Sequence, residues 1–117
     1  MLTSNQNRTA HARSIADKVR TAGVVGAGGA GFPTQVKLAA RADLVIANGA
    51  ECEPLLHVDQ TLMHHHAARL VQGLEAAMQA VGAAKGVIAT KRHYHDAVDA
   101  LESAIAGKEG LSTYLMD

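Results

Sequence analysis

Two short apolar runs, Asp43-Leu44-Val45-Ile46-Ala47-Asn48 and Gly86-Val87-Ile88-Ala89-Thr90, flank a long stretch whose apolar residues recur at helical spacing. This pattern constrains the fold more than any other feature of the chain. Each run has the length of a strand and is too short for a helix. Between them, Met63, Leu70, Val71, Leu74, Met78 and Val81 form one apolar stripe, with Asp59 as the expected N-cap and Gly82 as the stop. A second helix is expected over Ala97–Ala106, with Val98, Leu101 and Ile105 inward. Strand, helix, strand, helix in this order places the strands parallel, because consecutive parallel strands need a crossover connection. The expected fold class is α/β, an open, Rossmann-like layered sheet of two or three strands. Leu111–Asp117 shows no recognisable pattern. So small a sheet exposes its edges, which marks the chain as a piece of a larger protein.

The residues before the first strand divide into three. Residues 1–11 are a loose polar tail, and 12–117 form the N-terminal part of a larger domain. Ile15, Val19 and Ala22 predict a helix over Ala12–Ala22, ended by Gly23. Gly26–Gly31 holds four glycines in six residues, a density that no helix or strand interior tolerates, so it is a loop. Pro33 is placed to open a short helix running to about Ala40. After the first strand, Gly49–Val58 makes a connection longer than the usual two to six residues.

Composition narrows the function classes. With 48% hydrophobic residues in 117, the chain can bury a core of its own. There is one Phe, two Tyr and no Trp, while 23 alanines supply small side chains suited to close helix–sheet packing. Lys+Arg and Asp+Glu both number 11, which lacks the basic excess of a nucleic-acid binder. No apolar run approaches the roughly 18 residues of a membrane span, and the polar start has no signal-peptide core. A lone cysteine, Cys52, forms no internal disulfide, which fits a reducing cytoplasm. It also cannot hold an iron–sulfur cluster by itself, since that needs about four thiolates.

Two segments can carry chemistry. Gly26-Ala27-Gly28-Gly29-Ala30-Gly31 has G-x-G-x-x-G spacing, so bare N–H groups can approach a phosphate, with Lys37 supplying a full charge. The bland alternative is a tight turn between closely packed backbones. Val24-Val25 is too short for the strand that precedes a standard dinucleotide fingerprint. The second segment, Asn48-Gly49-Ala50-Glu51-Cys52-Glu53-Pro54, lies at the carboxyl end of the first strand, where open α/β sheets hold ligands. Asn48 offers a donor and an acceptor to a heteroaromatic edge or a ribityl hydroxyl. Glu51 and Glu53 alternate, so both carboxylates can face one crevice, or simply face water. Cys52 between them is a poor thiolate, because neighbouring carboxylates disfavour the charged form. Consecutive His64, His65 and His66 fan out around a helix, whereas helical metal pairs need a separation of three or four. His93 and His95 sit at a strand–helix junction, and surface roles are expected for them all.

Taken together, Gly-Ala-Gly-Gly-Ala-Gly-Phe-Pro-Thr-x-Val-Lys (residues 26–37) and Asn-Gly-Ala-Glu-Cys-Glu-Pro (residues 48–54) resemble a known domain. It is the flavin- and NADH-binding domain shared by the complex I flavoprotein subunit, the C subunit of the Rnf complex and cobalamin reductases of propanediol-utilisation microcompartments. Residues 55–63 are also similar, and the resemblance spans roughly residues 15–106. It implies FMN and NADH as cofactors. It places Gly26, Gly28, Gly29 and Gly31 against the flavin and dinucleotide, and Lys37 on the ribityl-phosphate side. Phe32 would stack on adenine, Asn48 and Glu51 would contact the flavin, and Glu53 would orient the nicotinamide. No side chain need act as a catalytic acid or base. Ala50 and Ala27 depart from the complex I pattern, and the Glu-Cys-Glu-Pro form is closer to the Rnf and cobalamin-reductase branch.

The implied function is NADH-dependent electron transfer through FMN to a cobalamin or iron–sulfur acceptor. Iron–sulfur clusters and partner subunits are expected downstream. The implied location is the cytoplasm, inside a microcompartment or on the cytoplasmic face of a membrane complex. A half-built pocket of this kind is expected to bind flavin weakly when alone. Two alternatives remain at this point: a non-enzymatic nucleotide- or phosphate-binding module, and metal storage through the histidines.

Overall fold

The computed structural model describes residues 15–27, 30–51 and 55–117. Residues 15–21 are helical (α1), followed by α2 (Thr34–Leu38), β1 (Leu44–Asn48), α3 (Val58–His65), α4 (Ala67–Val81), β2 (Lys85–Lys91), α5 (His95–Ile105) and β3 (Leu111–Met116). The strands form one parallel sheet in the order β1-β2-β3. The α/β, open-sheet expectation therefore holds, with β3 as the third strand.

Register fixes which residues share a face. Ile46 lies opposite Val87 and Val87 opposite Ser112, while Ala47 lies opposite Ile88 and Ile88 opposite Thr113. Side chains alternate along each strand, so Val45, Ala47, Ile88, Thr90 and Leu111 share one face. Helices α4 and α5 cover that face. The α4 stripe of Val71, Leu74, Met78 and Val81 is buried there, as are Ala97, Leu101 and Ile105 of α5. The approach is close because of Gly86: a Cβ there would lie 2.5 Å from Met78 Sδ and 3.2 Å from Leu74 Cγ. The other face carries Leu44, Ile46 and Tyr114, all exposed. Asp43–Asn48 thus forms a half-covered edge strand, where continuous apolarity predicts a fully buried one.

The long helix expected over 59–81 is two helices. His66 leaves helical dihedrals (φ −129°, ψ 31°), and α4 starts afresh at Ala67. The join carries neither Gly nor Pro, so no local signal announces it. Tertiary packing holds it, with Met63 on one side and Ala67 on the other both in the core. The expected stop is present: Gly82 caps α4 in the left-handed conformation (φ 76°). Pro33 stands just outside α2 as its N-cap residue and is bridged to Val25, which shortens that helix. Among the described residues, no helix is long and apolar enough to cross a membrane.

Candidate functional site

The residues that flank the glycine loop pair with each other. An antiparallel bridge joins Val25 to Pro33, Gly26 N–H donates to the Phe32 carbonyl at 2.8 Å, and Thr34 N–H donates to the Val24 carbonyl at 3.2 Å. The stem is therefore two antiparallel arms, not the strand-to-helix passage of a dinucleotide fingerprint. The loop is open beside its outer glycines. A Cβ at Gly31 would meet no atom within 4 Å, and one at Gly26 would meet only Phe32 backbone, at 3.8 Å. Gly28 and Gly29 lie outside the described residues. Phe32 and Lys37, expected in separate roles, are paired: Lys37 Nζ sits 5.4 Å from the centre of the exposed Phe32 ring, a cation–π contact.

The acid-bearing turn begins where β1 ends. Asn48 Oδ1 accepts a hydrogen bond from Ala50 N–H at 3.0 Å, an Asx-type turn that engages the acceptor of the side-chain amide and leaves its NH2 donors for another group. Gly49 is buried and tied on both sides. Its N–H donates to the Ala89 carbonyl at 2.7 Å, and its own carbonyl accepts from Thr90 Oγ1 at 3.5 Å. No side chain fits here, because a Cβ would stand 2.5 Å from Met63 Sδ and 3.1 Å from the Ala89 carbonyl. Below lies a small, mostly apolar crevice of about 90 Å³, lined by Asn48, Gly49, Asp59, Leu62, Met63 and Ile88 among others.

Glu51 has a task that its sequence context does not reveal. Its Oε2 accepts the Asp59 backbone N–H at 3.1 Å, capping the first turn of α3 from eight residues away. Asp59, expected as the N-cap, instead lies inside the helix, and His57 occupies the N-cap position without a side-chain bond to it. A carboxylate at a helix N-terminus meets both free donors and the positive end of the dipole. Glu53 and Cys52 lie outside the described residues. Leu55, on the same loop, takes a left-handed conformation (φ 70°) and is 90% exposed.

The histidines are gathered rather than scattered. His57, His64 and His65 of the α3 segment face His93 of the β2–α5 turn and His95 at the start of α5 across an open depression of about 400 Å³. His64 and His65 do not fan apart; their rings stack at 4.3 Å with planes 4° apart. Among the described residues, no group of three or more His, Cys, Asp or Glu side chains is arranged to hold a metal. No motif signals this gathering, because α3 and the β2–α5 turn are about thirty residues apart in the chain and meet only through packing.

Comparison with known proteins places these features. The model of the Nuo51 FMN-binding domain matches residues 19–114. The chain is 59% identical over 90 residues to cobalamin reductase PduS of Salmonella typhimurium, covering 77% of this chain and 20% of that protein. It is 46% identical over 107 residues to the C subunit of the Na+-translocating ferredoxin:NAD+ oxidoreductase complex of Acetobacterium woodii, covering 88% of this chain and 24% of that one. Among solved structures, an NAD+-reducing [NiFe]-hydrogenase superposes with a TM-score of 0.73 at 32% identity, over 92% of this chain and 21% of the other. The chain thus spans about a fifth to a quarter of the length of these relatives. With both motifs and the parallel sheet inside the matched span, the chain belongs to the Nuo51 FMN-binding domain family, the flavin-binding domain of oxidoreductases.

Proposed function

We propose that this chain supplies the glycine-loop part of an FMN site in an NADH-dependent electron-transfer oxidoreductase of the cobalamin-reductase or Rnf type. The supporting observation is the polar turn at the carboxyl end of β1, where Asn48 holds its own loop with Oδ1 and keeps an amide donor spare. The residue types suit FMN: a lysine and open glycine backbone for a phosphate, an exposed aromatic ring, and an amide donor for a heteroaromatic edge. Lys37 would neutralise the phosphate, and Gly26, Gly28, Gly29 and Gly31 would let main-chain amides reach it. Asn48 and Glu53 would orient the ring system and the nicotinamide beside it. FMN itself, when bound, supplies the chemistry that links two-electron NADH to one-electron carriers. Glu51 would act at one remove, holding the turn against α3.

The choice of enzyme over a simple phosphate-binding module rests on the family. The electron acceptor, a cobalamin or an iron–sulfur centre, belongs to the same proposal, as does a place beside partner subunits. Titrating FMN into this chain and following flavin fluorescence tests it. The expected dissociation constant is weaker than about 1 μM, and Lys37→Gln weakens it by about tenfold. Submicromolar binding would overturn the half-site reading, and a Lys37→Gln variant that binds as well as the parent would remove Lys37 from it.

A further inference from the structure

The open face of the sheet ends in a group of side chains that the core does not use. Asn48 is paired with Ala89, and Ala89 with Tyr114, so the three lie side by side near the carboxyl ends of β1, β2 and β3 on that face. Asn48 keeps its NH2 donors and Tyr114 is 62% exposed, while Ala89 between them contributes only a methyl group. The backbones of β1 and β3 stand about 10 Å apart across that floor. A flat floor between an amide and a phenol suits a planar heteroaromatic ring system, and open α/β sheets hold ligands at this end.

Lys91 is the next side chain of β2 on the same face, about 7 Å further along the strand. It is half-buried, and among the described residues its ammonium has no hydrogen-bond or ion-pair partner. Asp117, which follows its register partner Met116, is taken by Arg92 at 3.2 Å. Glu51, beyond the end of β1, is taken by the start of α3. A lysine that has given up part of its water without gaining a counter-charge suits an anion brought by a ligand.

We propose that this end of the open face seats the ring system of FMN, and that Lys91 is a binding residue that favours the reduced ring. The inference rests on the FMN reading above and assigns a residue that the reading leaves out. When FMN takes up two electrons and one proton, its ring is left as an anion with the charge on the N1–C2=O edge. An ammonium beside that edge attracts the reduced ring and gains little from the uncharged oxidised one. The phosphate carries the same charge in both forms, so a preference between them separates a ring contact from a phosphate contact.

The whole chain is titrated with oxidised FMN and, without oxygen, with FMN reduced by dithionite, and amide NMR shifts give the two dissociation constants. A redox titration of FMN with the chain in excess gives an independent readout. Reduced FMN is expected to bind about tenfold tighter, which sets the midpoint potential of bound flavin about 30 mV above that of free flavin. Lys91→Gln should cut the preference to about twofold or less and leave oxidised FMN bound as before, whereas Lys91→Arg should keep it. Arg92→Gln removes a cation that Asp117 already answers, so it should keep the preference too. No preference in the parent chain, or one that survives Lys91→Gln, would overturn the assignment and leave the FMN reading standing. So would an equal loss of both forms in Lys91→Gln, which would put Lys91 on the phosphate instead. If neither form binds the parent chain, the FMN reading falls and this assignment with it.

Discussion

The two faces of the three-strand sheet carry similar side chains and meet opposite surroundings. On the helix side, Ile88, Thr90 and Leu101 are at or below 1% exposure. On the other, Ile46 is 59% and Tyr114 is 62% exposed. Parallel sheets are ordinarily covered on both faces, so these strands suit two layers and have one here. The core of this chain therefore rests on α4 and α5, and the open face adds little to its stability. The candidate flavin site sits where these regimes meet. Gly49 is fixed by the covered side, while Asn48 beside it is exposed.

That contrast can be broken most directly in the core. Leu101→Ala should cost about 2–5 kcal/mol, since Leu101 is fully buried, whereas Ile46→Ala should cost less than about 1 kcal/mol. Urea unfolding of both variants decides it. Equal losses would mean that the open face is covered in solution. A smaller effect sharpens the boundary. Gly49→Ala forces a methyl group against buried Met63 and the Ala89 carbonyl, for an expected loss of about 1–3 kcal/mol. Thermal melts that leave it at the parental stability would show that β1's end is looser than its hydrogen bonds imply. Smallest is Glu51→Ala, which removes the α3 cap and should cost about 1 kcal/mol. Amide exchange in the first turn of α3 should quicken while β2 stays protected; uniform change across the chain would refute a local cap.

Much of the covered half was legible in the sequence, because it is built from periodic patterns. The Val71–Val81 stripe, the Leu101–Ile105 stripe and the two apolar runs each declared their element, and their order implied the parallel sheet. What failed lacked a local signal. Leu111–Met116 mixes Ser and Thr into a short edge strand, whose pairing with β2 supplies what its own pattern does not. The break at His66 and the stacked His64–His65 pair have no mark in the sequence. In the site, the residue types were readable and the partners were not. Asn48 spends its acceptor on Ala50, Glu51 caps α3, and Lys37 rests over Phe32; each is a contact between residues that no motif pairs. The cofactor roles of Gly26, Gly28, Gly29, Gly31, Phe32, Lys37, Asn48, Glu51 and Glu53 are all expectations from the resemblance.

The double tether of Gly49 to the neighbouring strand has a mechanical corollary. Gly49 ties the end of β1 to β2, and Ala50 N–H holds the Asn48 side-chain oxygen, so the bearing of that amide is set within two residues of the strand end. The floor of the crevice at Asn48 and Gly49 is thus fixed by bonds that all lie within residues 48–50 and β2.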